Sequence, residues 1–354
     1  MALNPRIEIN LSKINYNASQ IVKFSHEKGI QIWGVTKGVR ANLEVAKSML
    51  SGGVVGLADS RLSNLERLKK LGCPLMLIRI PMLSEIQKVV ELVDISLNSE
   101  LKVIEELNKV AKSMNKVHNV ILMIDLGDRR EGVLPKDTLK IADKINKLSN
   151  IKLVGVGSNL ACFRGILPNE YNMMKLMNLV KNIRKEIKIE LPIISAGNSS
   201  SLPLLINEDY IPIANQLRVG ETILLGREVG SGDKFPLTRI DTVKLVAEVI
   251  ELKDKPTLLR DEESKEELIK NNDKEIIKRG ILGIGKQDIV PEGLFPMNQK
   301  ITIEGASSDH LIVDLSCVEN INLGDEIEFR LSYEALLQAM TSPYVNKICY
   351  KEEE

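Results

Sequence analysis

Short apolar runs alternate with amphipathic stretches through the first two thirds of the chain. Arg6–Leu11 reads as an opening strand, followed by a helix that Ser12 can cap. Eight further runs follow, at Gln31–Lys37, Val54–Ala58, Pro74–Ile80, Val93–Leu97, Asn119–Asp125, Ile151–Gly157, Pro192–Ala196 and Gln216–Leu225. Between them, Leu43–Leu50, Leu62–Leu71, Glu100–Met114, Asp137–Leu148 and Tyr171–Ile187 carry the apolar period of helices. This alternation predicts an α/β fold, a (β/α)8 barrel of the TIM type. An open doubly wound sheet is the alternative, but no Gly-x-Gly-x-x-Gly follows an early strand.

The pattern changes after Arg227. Strands without long intervening helices are predicted at Val243–Leu252, Gly280–Ile284, Lys300–Glu304, Leu311–Leu315 and Glu326–Arg330, with turns at Asn320, Asn322 and Gly324-Asp325. Residues 1–228 are therefore expected to form the barrel, and residues 229–354 a mostly-β second domain, with the opening strand packing on the latter. Lys253–Arg279 is dense in Lys, Glu and Asp and reads as a solvated excursion with a short helix over Glu262–Asn271.

Composition narrows the class. Of 354 residues, 48 are basic and 48 acidic, so the net charge is zero. That balance argues against a nucleic-acid or membrane-surface role driven by bulk charge. Four cysteines (Cys73, Cys162, Cys317, Cys349) stand far apart, which points to reduced thiols in a cytoplasmic protein. The three histidines (His26, His118, His310) show no metal-ligand spacing, so no metal is expected. No apolar run is long enough to span a bilayer, and the N-terminus lacks the pattern of a signal peptide.

In barrels, catalytic groups come from the C-terminal ends of strands. There the first barrel strand delivers Lys37, either a surface lysine or an amine placed to form a Schiff base. Asn198-Ser199, after the seventh strand, can cap the next helix or offer N–H groups and a hydroxyl to a phosphate, with Gly220 permitting close approach beside it. Arg130 is either a surface arginine or a fork for a substrate carboxylate. Arg218 lies within an apolar strand, where a buried charge needs a partner.

Several stretches resemble the alanine racemase-type fold of pyridoxal-phosphate enzymes, and within it the alanine/ornithine racemase branch. These are Arg6–Leu11, Val35-Thr36-Lys37-Gly38, Ile193–Leu202, Leu217–Arg227 and Ala306–Asp309. Leu57–Arg61, Leu77–Glu85 and Met340–Val345 are ornithine-racemase-like. The resemblance covers nearly the whole chain. It implies a racemase that interconverts L and D amino acids, ornithine favoured, with pyridoxal 5'-phosphate as cofactor. It also implies a head-to-tail homodimer in which the partner's second domain completes each site. Lys37 would hold the cofactor aldehyde and carry one proton. Asn198, Ser199, Gly220 and Glu221 would surround the phosphate. Arg218 would face the pyridine nitrogen, and Arg130 would help hold the substrate carboxylate.

The chain also departs from that pattern. Lys286 stands where alanine racemases place a proton-carrying tyrosine, Asn159 where a histidine stacks on the cofactor, and Ala41 and Thr341 where two phosphate-side tyrosines stand. Met123 replaces a carbamylated lysine found in some relatives. Lys286, His310 and Tyr344 are the candidates for the second proton carrier. Asp128, Asp288 and Asp309, with Ser308, are candidates to meet the substrate; the acids would read a second amine, or else neutralise Arg129, Arg130 and Lys286. Alternative readings are an alanine or broad-specificity racemase, a metal-assisted D-threonine aldolase or D-serine dehydratase type of lyase, and a non-catalytic cofactor-binding protein. The lyases need a histidine with a nearby cysteine or acid, and His310 has no such partner two residues on, where Ile312 stands.

Overall fold

The structure is a computed structural model that describes residues 3–256 and 276–352, except Cys162, Glu208 and Gly230. The helix expected over Glu262–Asn271 lies outside the described residues. Two compact units are present, one of Met1–Ile9 with Val243–Tyr350, the other of Asn10–Thr242 with Lys351–Glu354.

The chain opens with β1 (Arg6–Asn10) and α1 (Leu11–His26). Asn10, not Ser12, caps α1, because its side chain accepts the Lys13 N–H while Ser12 already lies in the first turn. The second unit is a closed barrel of eight parallel strands: β2 (Gln31–Val35), β3 (Gly56–Asp59), β4 (Leu75–Leu77), β5 (Ile95–Asn98), β6 (His118–Met123), β7 (Ile151–Ser158), β8 (Ile193–Ala196) and β9 (Gln216–Val219). Around it run α2 (Leu43–Ser51), α3 (Leu62–Leu68), α4 (Ile86–Leu92), α5 (Leu101–Ser113), α6 (Thr138–Asn146), α7 (Glu170–Ile187) and α8 (Glu221–Leu225). The expected barrel is present. Its eighth strand is shorter than the apolar run Gln216–Leu225 suggested, because the chain turns at Gly220 and the last five residues form α8.

The barrel interior is filled by Trp33, Val35, Ala58, Met76, Leu97, Ile121, Met123 and Val154. A packed interior leaves chemistry to the loops at the strand ends. Residues 229–242 also pack on the barrel. Phe235 is buried edge-to-face against Phe24, Thr238 donates to the Gly226 carbonyl (2.7 Å), and buried Asn17 bonds the backbone of Ile223 and Arg239. The units therefore divide after Thr242, later than the expected 228.

The first unit is a mostly antiparallel sheet built from β10 (Val243–Pro256), β11 (Ile276–Leu282), β12 (Leu294–Pro296), β13 (Thr302–Ala306), β14 (Leu311–Asp314) and β15 (Glu326–Leu331), followed by α9 (Tyr333–Thr341) and β16 (Asn346–Tyr350). The strand order is β12-β15-β10-β11-β14-β13, and β1 pairs with β10 and β16. Charged side chains ladder across this sheet. Arg6 forks onto Glu326 (2.6 and 2.8 Å) and meets Glu8, while Lys244 joins Glu8 and Glu328. The Arg6 fork pulls the Glu326 carboxyl down to about 2. Helix α9 escaped the sequence reading.

Candidate active site

β2 ends at Val35, two residues before Lys37, and the chain passes into a single 3-10 turn over Lys37–Val39. Lys37 therefore sits on a turn at the strand's end and not within the strand. The turn is held from behind. Thr36 N–H donates to the Ala58 carbonyl (3.0 Å) and its hydroxyl to Asp59 Oδ2 (2.7 Å). Asp59 is fully buried, and its Oδ1 accepts from Asn64 Nδ2 and the Arg61 N–H, both at 3.0 Å. Burial pushes the Asp59 carboxyl up, against the pull of these donors.

The loops after β8 and β9 meet at a polar cradle. Ser199 begins the 3-10 segment Ser199–Ile206, and its Oγ accepts the N–H groups of Gly220 and Thr222, each at 3.3 Å. Asn198 orients the approach, accepting from the Ser200 N–H (2.8 Å) and donating to the Leu160 carbonyl (3.1 Å). A Cβ on Gly220 would lie 2.9 Å from Val35 Cβ and 3.0 Å from the Val35 carbonyl oxygen. Only glycine fits there, which places Gly220 and Glu221 beside the strand that leads to Lys37. A hydroxyl and successive backbone N–H groups at this spot suit a phosphate.

Arg218 lies on β9 in register with Trp33 of β2 and is 3 % exposed. Its buried charge is satisfied by fixed oxygens. Nη1 donates to the Ser195 carbonyl (2.9 Å) and hydroxyl, and Nη2 to the Ser158 carbonyl (3.1 Å) and Asn159 Oδ1 (2.6 Å). These bonds lock the guanidinium across the ends of β7 and β8. Asn159, a candidate to lie beside the cofactor ring, joins Arg218 to the loop after β6: its Nδ2 donates to Glu131 Oε1.

The loop after β6 carries Asp128, Arg130 and Glu131. Arg130 is held by Glu131, Nε to Oε2 at 2.5 Å and Nη2 to Oε1 at 2.9 Å. Asp128 is buried, and its Oδ1 accepts the N–H groups of Phe163 and Arg164 (3.1 and 3.2 Å). Its Oδ2 lies 3.8 Å from Arg130 Nε. This geometry makes Asp128 part of the loop framework.

The remaining predicted residues lie in the β unit. The Lys286 N–H donates to the Ser307 carbonyl (2.8 Å), the Gln287 N–H to the Ser308 carbonyl (3.0 Å), and Gln338 Nε2 to the Lys286 carbonyl (2.8 Å). Ser307 in turn binds the His310 carbonyl through its N–H (2.9 Å) and approaches His310 Nδ1 through its hydroxyl (3.4 Å). The turns bearing Lys286 and His310 are thus joined, and both residues are exposed, as are Ser308 and Asp309. Asp288 is buried and accepts from the Ser342 hydroxyl at 2.5 Å, and that hydroxyl also accepts the Tyr344 N–H (3.0 Å). Asp288 therefore braces two loops, while the Tyr344 side chain is exposed. The Thr341 hydroxyl bonds the Leu337 carbonyl of its own helix (2.7 Å).

Sequence reasoning missed Glu131, Ser195 and Asp59 as members of these networks. Only Glu131 carried a signal, a carboxylate next to an arginine.

Three kinds of similarity bear on this geometry. Residues 9–228 match the family model for the N-terminal domain of alanine racemase. The chain is 42% identical over 348 residues to the ornithine racemase of Acetoanaerobium sticklandii, covering 97% of this chain and 99% of that protein. It is 34% identical over 349 residues to the lysine racemase of Thermotoga maritima, covering 97% and 98%. An alanine racemase of Clostridium difficile shares the fold, with a TM-score of 0.76 at 20% identity over 100% of this chain and 97% of that one.

Proposed function

This chain belongs to the alanine racemase family, and on that premise we propose that it is a pyridoxal-phosphate-dependent racemase whose substrate is ornithine. The observation that carries the reading is the end-to-end match to an ornithine racemase in a chain that sets Lys37, the Ser199–Gly220 cradle and Arg218 at one barrel mouth.

The residues fit the cofactor. Ser199 Oγ and the N–H groups of Gly220, Glu221 and Thr222 would hold its phosphate, and the absence of a side chain at Gly220 lets that backbone pack against Val35 of β2. Lys37 would hold its aldehyde end. Arg218 would donate to its ring nitrogen. When bound, pyridoxal phosphate supplies an electron sink that makes the substrate's α-proton removable. A guanidinium stays protonated at any working pH, so Arg218 would donate a hydrogen bond there without yielding a proton. Arg130 would hold the substrate carboxylate.

Racemisation needs a proton carrier on each face of the substrate. Lys37 would serve one. For the other we favour Lys286, whose main chain is pinned by Ser307 and Gln338 while its ammonium is exposed; His310 on the adjoining turn is the alternative. Both would come from a second copy in a head-to-tail homodimer. Exposed Phe163, Leu167, Tyr171 and Met174, on the loop after β7 and the first turns of α7, support a barrel face covered by a partner. Among the described residues no helix is long and apolar enough to cross a membrane. The scattered cysteines support a cytoplasmic setting.

The test is direct. Purified protein with pyridoxal phosphate is given single enantiomers of ornithine, lysine and alanine, and optical rotation is followed. Ornithine should racemise fastest from both sides. Faster turnover of alanine or lysine would overturn the substrate assignment, and keto-acid release without racemisation would overturn the reaction class.

A further inference from the structure

We propose that Glu131 is the positioning residue that aims Arg130 at the substrate carboxylate and ties it to Arg218, an inference that rests on the reading above. Four side chains from two barrel loops and one strand form a continuous path. Arg218 Nη2 donates to Asn159 Oδ1 at 2.6 Å, Asn159 Nδ2 donates to Glu131 Oε1, and Arg130 holds both Glu131 oxygens at 2.5 and 2.9 Å.

The polarity of this path is dictated by its ends. Arg218 has only donors, so the Asn159 amide must turn its oxygen inward. Its NH2 then faces outward and requires an acceptor, which Glu131 supplies. The carboxylate also lies between two guanidinium groups and offsets their mutual repulsion. A neutral side chain at position 131 could not meet both demands.

Glu131 engages one particular edge of Arg130. It takes Nε and one N–H of Nη2. Nη1 has no hydrogen-bond partner among the described residues. The Nη1–Nη2 edge is therefore left for a second carboxylate, in the two-bond geometry that suits a substrate.

The loop is built to keep this arrangement. Ile124 and Val133 close it through a parallel bridge. Asp125 Oδ1 accepts the N–H groups of Gly127 (2.8 Å) and Arg129 (3.1 Å). Gly132 has φ +133°, and a Cβ there would lie 2.4 Å from the Asp125 nitrogen. Only glycine can follow Glu131, and the backbone that presents the Arg130–Glu131 pair is fixed. Glu131 acts through Arg130 and Asn159, without touching a reacting atom itself.

The test is a double-mutant cycle on the holoenzyme with E131Q, R130K and the double variant, and with E131D as a charge-retaining control. Two quantities are read: KM and kcat for L-ornithine, and the affinity for propionate, a non-reacting carboxylate, from its effect on the bound cofactor's absorbance. E131Q should raise KM about tenfold and weaken propionate by a similar factor, as expected for loss of a charge-assisted pair, with kcat changed less than about threefold. E131D should recover part of both. In the R130K background E131Q should add nothing. The proposal is overturned if E131Q leaves both quantities within about twofold of wild type, or if its effect adds in full to that of R130K. It is also overturned if E131Q and E131D lower thermal stability alone. Wild-type protein that fails to racemise ornithine sinks the functional reading itself, an outcome distinct from an additive cycle in an active enzyme.

Discussion

The Thr36 hydroxyl donates to Asp59 Oδ2 at 2.7 Å in a fully buried setting, one residue before Lys37. Among the described residues Asp59 forms no ion pair, so three hydrogen-bond donors offset the cost of burying its carboxylate. Asp59→Ala would leave the Thr36, Asn64 and Arg61 donors without that acceptor. It should cost about 2–4 kcal/mol in denaturant unfolding and lower the protein's affinity for pyridoxal phosphate in an absorbance titration. Asp59→Asn, which keeps the shape and one acceptor, should lose less of both. Equal losses in the two variants would show that keeping the shape does not help, and would assign the role to the full carboxylate.

The Ser199 hydroxyl is the acceptor for two backbone N–H groups of the cradle. Ser199→Ala should weaken cofactor binding about tenfold, or about 1.4 kcal/mol, as read by equilibrium dialysis. Gly220→Ala should weaken it further, because the new methyl meets Val35 at 2.9 Å and must push the loop away from β2. Unchanged cofactor affinity in Gly220→Ala would show that the phosphate lies elsewhere.

His118 is buried beside Ser96, whose hydroxyl lies 2.7 Å from His118 Nε2 and accepts from Asn98 Nδ2 at 2.8 Å. With Asn98 donating to it, the hydroxyl gives its proton to a neutral imidazole. Burial lowers the His118 pKa from 6.5 to about 4. Between those values the unfolded chain binds the extra proton and the folded chain does not, so stability rises with pH across that window and falls as pH drops from 6.5 toward 4. The loss should approach about 3 kcal/mol near pH 4. His118→Gln should flatten this slope in urea unfolding measured from pH 4 to 7, and a slope unchanged by the substitution would assign the acid sensitivity to other groups.

If each site takes Lys37 from one copy and Lys286 from the other, two inactive variants should complement. Lys37→Ala and Lys286→Met, mixed and allowed to exchange subunits, should recover about a quarter of wild-type activity, since half of the dimers are mixed and each mixed dimer has one intact site. No recovery, with subunit exchange verified by mass, would place both lysines of a site on one chain. Recovery with His310→Asn in place of Lys286→Met, and full activity of Lys286→Met alone, would move the second proton carrier to His310.

Much of the architecture was legible because it is written in local periodicity. The eight apolar runs and their helices follow from side chains near one another in sequence, and the barrel closes as those runs predict. The errors arose where periodicity is silent. In Gln216–Leu225 a short apolar run reads equally as strand or helix, and only the turn at Gly220 separates β9 from α8. The run Gln31–Lys37 overshoots its strand by two residues, because an apolar run does not show where pairing stops. Ser12 and Asn10 are both good caps, and the geometry of the β1–α1 junction selected Asn10.

Local pattern alone carries the fold class, and it singles out Lys37, Ser199 and Arg218 as candidates because polar or charged residues there interrupt apolar runs. Only the tertiary structure decided what those residues bond to. Arg218 reaches Ser158 across 60 positions of sequence, and Asn159 reaches Glu131 across 28. Those partners meet because barrel closure brings strand ends together, which no local pattern encodes. The same closure buried Asp128 and joined it to the backbone of Phe163 and Arg164, while packing of the β unit buried Asp288 against Ser342. Asp128 and Asp288 thus brace loops, and Glu131, which the sequence marks only as a carboxylate beside an arginine, links two arginines. Burial and hydrogen-bond partnership are properties of the closed surface, so they appear only when the chain has folded.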